Sequence, residues 1–325
     1  MQQQQQSIIL NEEYRVEIES KPLPQPGPNE ILCRTVRSLI STGTELGKIS
    51  GSFYWTKLPG LLGYSNVAVI EAVGAQIQDF HTQQRIYSQA PHANFFLIDS
   101  PATSRFVPCL LPSNIKDEEA TFVTHAAVAW YGVCKARLQP GAPVMVIGDG
   151  LVGLLVAQLA IHDSGAQVYM AGLHDFRLAQ AEAIRTVKVD PARHNLAVFT
   201  EHVTAAKGFP VVINTAGVPA SLLDAISVCG VKGRVIQLGT IAENVTLPLW
   251  DIERKEIEII PAFQPLDPRE QQLQARKKMI ELMSAGKLAV TKLISHRFNF
   301  HDALAAYDKL LKEKDETLGV LFTYE

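Results

Sequence analysis

Residues 144–162 read VMVIGDGLVGLLVAQLAIH. Val144, Met145, Val146 and Ile147 form an unbroken apolar run, as in a strand buried on both faces of a parallel sheet. Gly148-Asp149-Gly150-Leu151-Val152-Gly153 follows at once with the spacing G-x-G-x-x-G. Leu154, Leu155, Ala157, Leu159, Ala160 and Ile161 then continue as a mostly apolar stretch of helix formers. Strand, glycine turn and helix together make a dinucleotide-binding fingerprint. In it Gly148 permits the tight turn, Gly150 lets the backbone approach a pyrophosphate, and Gly153 lets helix and strand pack closely. The helix start at Leu151 and Val152 supplies N–H donors and positive dipole to the phosphates.

Downstream, strands and helices alternate. Gln167–Gly172 reads as a second strand, Asp175–Ile184 as a helix, Val211–Asn214 as a third strand and Ala220–Val228 as a helix. Gly233–Gly239 and Glu256–Ile260 are further strands. Such alternation requires a doubly wound parallel sheet with right-handed crossovers. Upstream the texture differs. Ile31–Leu39, Asn66–Gly74, Arg85–Ser88 and Asn94–Ile98 are short strands set among turns, pointing to a barrel-like unit. Asp117-Glu118-Glu119-Ala120 opens a helix with acids in its first turn. The tail holds helices over Gln271–Ser284 and His301–Lys312 and a closing strand over Gly319–Thr323. We therefore expect an α/β chain of three segments: 1–114 as a β-rich substrate domain, 115–265 as the dinucleotide domain, and 266–325 as a return segment completing the first.

The bulk numbers narrow the function classes. The 325 residues include 47% hydrophobic and 19% charged side chains and carry a formal net charge of −3. That balance excludes a broad basic surface for nucleic acid or anionic lipid; Arg276-Lys277-Lys278 reads as a solvated helix face. Four scattered cysteines, Cys33, Cys109, Cys134 and Cys229, form no C-x-x-C pair and read as buried thiols. The opening MQQQQQSIIL lacks a secretory leader, and its glutamines read as a frayed end. No apolar run is long enough for a bilayer. A cytoplasmic protein is expected.

In this order the parts resemble the medium-chain dehydrogenase/reductase superfamily, in a zinc-type alcohol dehydrogenase-like form. Leu58-Pro59-Gly60-Leu61-Leu62-Gly63, the 144–153 fingerprint, Gly233-Arg234-Val235-Ile236-Gln237-Leu238-Gly239 and Phe298-Asn299-Phe300-His301-Asp302-Ala303-Leu304-Ala305-Ala306-Tyr307 carry the likeness. The resemblance implies a GroES-like β-barrel domain beside a Rossmann doubly wound domain, and hydride transfer with a nicotinamide cofactor. It also places Ala216-Gly217 and Leu238-Gly239 beside that cofactor, and a homodimer joined through a sheet edge near residues 256–260.

Two departures shape the functional expectation. Zinc-binding members of the superfamily carry a cysteine before a G-[ST]-D step, a G-H-E triplet and a third ligand on the helix entering the Rossmann domain. Here those places hold Ser41-Thr42-Gly43-Thr44-Glu45, Gly63-Tyr64-Ser65 and His125. Serine and tyrosine are poor zinc ligands, so no metal is expected. Tyr64 and His125 then stand as donors to a developing alkoxide, with Thr44 as proton relay; the bland alternative is that both fill space. Glu45 reads as structural, paired with an arginine. Secondly, the ribose-binding acid of NAD enzymes, about 20 residues past the fingerprint, falls on Gly172. With His174 and Arg177 nearby, NADP(H) is favoured over NAD(H).

A zinc-independent NAD(P)-dependent oxidoreductase acting on a secondary alcohol or ketone is the leading expectation. An NADPH-dependent enoyl or quinone reductase acting on an enone is the first alternative, although such enzymes carry an N-P-x-D step absent here. A catalytically inactive nucleotide-binding relative is the second. Phe53-Tyr54-Trp55 is an aromatic loop that suits either a substrate ring or barrel packing.

Overall fold

The fingerprint strand lies at the centre of a parallel sheet. The computed structural model describes residues 4–104, 107–181, 184–188, 195–263 and 268–325. In chain order its elements are β1 (Gln4–Leu10), β2 (Val16–Pro22), β3 (Glu30–Leu39), α1 (Thr42–Ile49), β4 (Gly60–Leu61), β5 (Asn66–Val73), β6 (Arg85–Ser88), β7 (Phe95–Asp99) and β8 (Cys109–Leu110). Then come α2 (Asp117–Ala120), α3 (Val123–Ala136), β9 (Pro143–Ile147), α4 (Leu151–Ser164), β10 (Gln167–Gly172), α5 (Asp175–Leu178), β11 (Arg185–Lys188), α6 (Asn195–Thr204) and β12 (Phe209–Asn214). The chain continues with α7 (Pro219–Val228), β13 (Cys229–Gln237), α8 (Leu249–Lys255), β14 (Glu258–Pro261), α9 (Arg269–Ser284), β15 (Ile294–Asn299), α10 (Ala303–Lys312) and β16 (Gly319–Thr323).

Two compact units result: Met1–Thr124 with Arg269–Glu325, and His125–Pro268. The sequence places the first boundary at 114/115, ahead of α2; the compact units divide near the start of α3. The second expected boundary, 265/266, lies outside the described residues.

In the His125–Pro268 unit the sheet order is β11-β10-β9-β12-β13-β14, and every pairing is parallel. Counted from β9, that is 3-2-1-4-5-6, the order of a dinucleotide-binding doubly wound sheet. Met145, Ile147, Tyr169, Phe209, Val212, Ile226 and Val235 form one of its buried apolar clusters. The helix expected over Asp175–Ile184 is shorter: only Asp175–Leu178 is helical, and residues 182–183 lie outside the described set. β11, α6 and α8 carry no strong period in sequence and are added by the structure.

The other unit is β-rich. A sheet of order β15-β16-β3-β5-β6-β8, with β7 also on β3, accompanies the smaller sheet β2-β1-β4. The return segment enters the larger sheet where β16 runs antiparallel to β3, so the first and last parts of the chain share one core. Ile8, Leu10, Ile40, Phe300, Tyr307 and Phe322 fill one buried cluster, and Ile31, Ile70, Ile86 and Phe96 fill another.

Three expectations are corrected. Gln4, Gln5 and Gln6 are not frayed: they pair with Pro22, Lys21 and Ser20 of β2. Ile8 and Leu10 anchor the strand in the core, and the ladder carries the glutamines with it. Arg276 is not on a solvated face; it is buried, donating to Gln272 O at 3.1 Å and Gln89 Oε1 at 3.0 Å. Cys134 is exposed, whereas Cys33, Cys109 and Cys229 are buried.

Candidate functional site

Each fingerprint glycine has a distinct physical reason. Gly148 has φ +113°, which side chains rarely adopt, and a Cβ there would lie 2.5 Å from Thr215 Oγ1. A Cβ on Gly153 would meet Gly148 O at 2.0 Å, so helix and turn touch only because it is glycine. Gly150 differs: a Cβ there would meet nothing within 4 Å. The chain itself does not demand glycine at 150, which leaves room for a ligand at the start of α4, where Gly150 is the N-cap. Fourteen residues long and starting beside this opening, α4 aims unpaired N–H groups and its positive dipole end at it.

The neighbouring loops close on the same sheet edge. Thr215 Oγ1 donates to Ile147 O at 3.0 Å, and Leu238 N to Asn214 O at 2.9 Å. A Cβ on Gly239 would fall 2.3 Å from Ala216 O, and one on Gly217 would fall 2.7 Å from Thr240 O. Those two glycines are thus explained by backbone packing between loops. Leu238 packs on α3, where a Cβ on Gly132 would meet its Cδ2 at 2.8 Å. Leu151, Val152, Ala216, Gly217, Leu238 and Gly239 all follow the C-terminal ends of β9, β12 and β13 within a few residues, where ligands bind in open α/β sheets.

The end of β10 holds a feature that sequence reasoning missed. Asp149, inside the fingerprint, turns its carboxylate over Gly172. Oδ2 accepts from Leu173 N at 2.8 Å and His174 N at 2.7 Å. His174 Nδ1 lies 3.0 Å from the same oxygen, and Arg177 Nη1 lies 3.8 Å from Oδ1. A Cβ on Gly172 would be 2.5 Å from Asp149 Cβ.

In the other unit, hydroxyls gather at the start of α1. Ser41 is its N-cap but does not cap through its own side chain. Instead Glu45 Oε1 accepts from Ser41 N at 2.7 Å, which leaves Ser41 Oγ to form a short hydrogen bond with Tyr64 OH. Thr44 Oγ1 lies 3.3 Å from the same phenol. Burial pushes the Tyr64 hydroxyl above its ordinary pKa, outweighing the Ser41 and Thr44 hydrogen bonds that lower it, so it stays protonated at neutral pH.

Glu45 is fully buried, and no arginine among the described residues pairs with it. Its carboxylate lies 3.2 Å from His92 Nε2 and accepts from Tyr307 OH. Ser38 Oγ joins the network at 2.7 Å from both His92 Nδ1 and Tyr324 OH. Burial alone would raise the Glu45 pKa; attraction and hydrogen bonding from His92, with hydrogen bonds from Tyr307 and Ser41, bring it below the ordinary carboxylate value. His92 and Tyr307 were not legible as site residues, because they meet Glu45 across 47 and 262 positions of chain.

A family model described as zinc-binding dehydrogenase matches residues 152–284. Sorbitol dehydrogenase of Bacillus subtilis is 23% identical, covering 98% of this chain and 97% of the relative. A Sinorhizobium meliloti 1021 protein solved bound to NADP superposes with a TM-score of 0.83 at 19% identity, covering 99% and 100% of the two chains. An alcohol dehydrogenase of Escherichia coli CFT073 complexed with NADH gives 0.83 at 17% identity, covering 99% of each.

The chain is similar over nearly its whole length to dehydrogenases of the medium-chain dehydrogenase/reductase superfamily.

At the three places where the resemblance puts zinc ligands stand Ser41, Tyr64 and His125, and serine and tyrosine are poor ligands for zinc. Ser41 and Tyr64 are bonded to each other, and Glu45 is committed to Ser41, His92 and Tyr307. Among the described residues no group of three or more His, Cys, Asp or Glu side chains could hold a metal ion. Burial also raises the thiol pKa of Cys33 and Cys109, away from the thiolate that binds metal. Ser41, Thr44 and Tyr64 are brought together in one unit. His125 belongs to the other, where it is buried in α3. Phe53 stacks on Trp55 with ring centroids 4.8 Å apart, while Tyr54 is largely exposed.

Proposed function

We propose that this protein is a nicotinamide-dependent oxidoreductase that exchanges a hydride with a secondary alcohol or its ketone, without catalytic zinc. The Ser41–Tyr64–Thr44 hydroxyl cluster carries the reading. It offers a protonated phenol, and a hydrogen-bond donor aimed at developing negative charge supplies electrostatic stabilisation of the kind a metal would. When bound, the nicotinamide supplies or accepts the hydride. Gly148, Gly150, Leu151, Val152 and Gly153 would hold its pyrophosphate, and Ala216, Gly217, Leu238 and Gly239 would flank it.

In the reducing direction the ketone carbon gains the hydride and its oxygen gains a proton. Tyr64 donates the hydrogen bond to that oxygen, Ser41 fixes the phenol's direction, and Thr44 relays the replacement proton. His125 is the proposed acid–base group, since an imidazole can both give and take a proton. The likeness to sorbitol dehydrogenase directs the substrate search to polyols and hydroxyketones. Assembly as a homodimer through β14 goes with this reading, because β14 is an edge of its sheet and an uncovered edge invites pairing.

The test is turnover by purified protein across secondary alcohols, polyols and ketones with both nicotinamide forms, repeated for Tyr64→Phe. The reading expects Tyr64→Phe to bind nucleotide as before and to lose on the order of 10²-fold in kcat. Wild-type turnover unchanged by that substitution would contradict Tyr64's role.

A further inference from the structure

We infer that Asp149 is the residue that selects the adenosine ribose, and that it makes the site prefer NAD(H) over NADP(H). The inference rests on the proposed nicotinamide-dependent function. Read by position alone, Gly172 leaves the end of β10 without an acid and favours NADP(H). The structure supplies the acid from the adjoining strand. Asp149 leaves the fingerprint turn after β9, and β9 pairs with β10 so that Ile147 lies opposite Ala171. The carboxylate therefore arrives at the end of β10 from one strand over.

Gly172 is what admits it. A Cβ at 172 would stand 2.5 Å from Asp149 Cβ and 2.6 Å from Oδ2. A side chain at 172 and the present position of Asp149 exclude each other, so glycine at the strand end and acid in the turn are one arrangement.

The same carboxylate engages the groups that a 2′-phosphate would need. The N–H groups of Leu173 and His174 donate to Oδ2, the His174 ring lies 3.0 Å away, and the Arg177 guanidinium is drawn to Oδ1 at 3.8 Å. Asp149 side-chain exposure is 8%, so solvent screens its charge poorly. A phosphate dianion brought here meets a fixed negative charge and finds its donors engaged. Ribose hydroxyls meet an acceptor instead, as at the strand-end acid of NAD enzymes.

Calorimetric titration of the purified protein with NADH and with NADPH tests this, alongside Asp149→Asn and the double variant Asp149→Asn/Arg177→Met. Wild type is expected to bind NADH at least about tenfold more tightly than NADPH. Asp149→Asn should tighten NADPH and weaken NADH, and adding Arg177→Met should remove most of the NADPH gain. Tighter NADPH binding by wild type overturns the inference, and so does an unchanged ratio in a folded Asp149→Asn. A variant that loses both nucleotides equally also overturns it, because that is what a purely structural aspartate would do. If Asp149→Asn does not fold, the wild-type ratio decides. Failure of wild type to bind either nucleotide would overturn the proposed function itself, together with this inference.

Discussion

Gly150 and Gly153 lie three positions apart in one motif, yet they answer to different demands. Gly153 is required by its own chain, with Gly148 O 2.0 Å from where a Cβ would be. Gly150 has open space around that point. Gly150→Ala is therefore expected to keep the wild-type melting temperature and to weaken nucleotide binding about tenfold or more, since the methyl would take space meant for the pyrophosphate. Gly153→Ala is expected to lower the melting temperature by several degrees, as an overpacked contact costing about 1–3 kcal/mol would. Thermal melts and calorimetry on the two variants check this; equal loss of stability in both would contradict it. Spacing made the glycines legible in sequence, because backbone geometry at a turn is a local matter. Asp149 was written in the same motif, but its partners His174 and Leu173 lie 24–25 positions on and are set by strand pairing, which no local pattern encodes.

At the scale of elements, α1 shows how a weak helix is held. Thr42–Ile49 contains Gly43, Gly47 and two threonines, a poor helix-forming composition. A Cβ on Gly47 would lie 2.7 Å from the Phe53 ring, so the ring would have to shift to admit one. The helix start is secured by Glu45, whose carboxylate both accepts Ser41 N–H and stays anchored to His92 and Tyr307. Removing one partner of a buried polar pair costs about 3–5 kcal/mol, so Glu45→Gln should be clearly destabilised at neutral pH. The sign with pH follows from its lowered pKa in the folded state. The stabilisation is complete above the unfolded carboxyl value, about 4.3, and is lost as pH falls through the lower folded value. Melting curves should show the gap between Glu45→Gln and wild type narrowing below about pH 4; a gap that is constant with pH would contradict a charged Glu45. The sequence showed neither α1 nor β1, since two glycines mask the helix and a glutamine run masks the strand; both are fixed by tertiary packing. The alternating strands and helices of the His125–Pro268 unit were plain because their apolar runs are long and regular.

At the scale of the molecule, the return of β16 onto β3 joins the two ends of the chain in one core. That pairing spans nearly the whole sequence, so the doubly wound unit is an insertion within the β-rich one. Sedimentation velocity is expected to report a dimer, consistent with the exposed edge at β14; a monomer at all concentrations would remove that proposal. No helix among the described residues is long and apolar enough to cross a membrane. Hydride transfer without zinc can be tested in one experiment. Protein stripped with EDTA and assayed for metal content would be supplied with NAD(H) or NADP(H) and a set of secondary alcohols, polyols and ketones. Hydride transfer at the untreated rate, with far less than one zinc per chain and no gain on adding zinc, is the predicted result. Activity that vanishes on stripping and returns with one zinc per chain would contradict it.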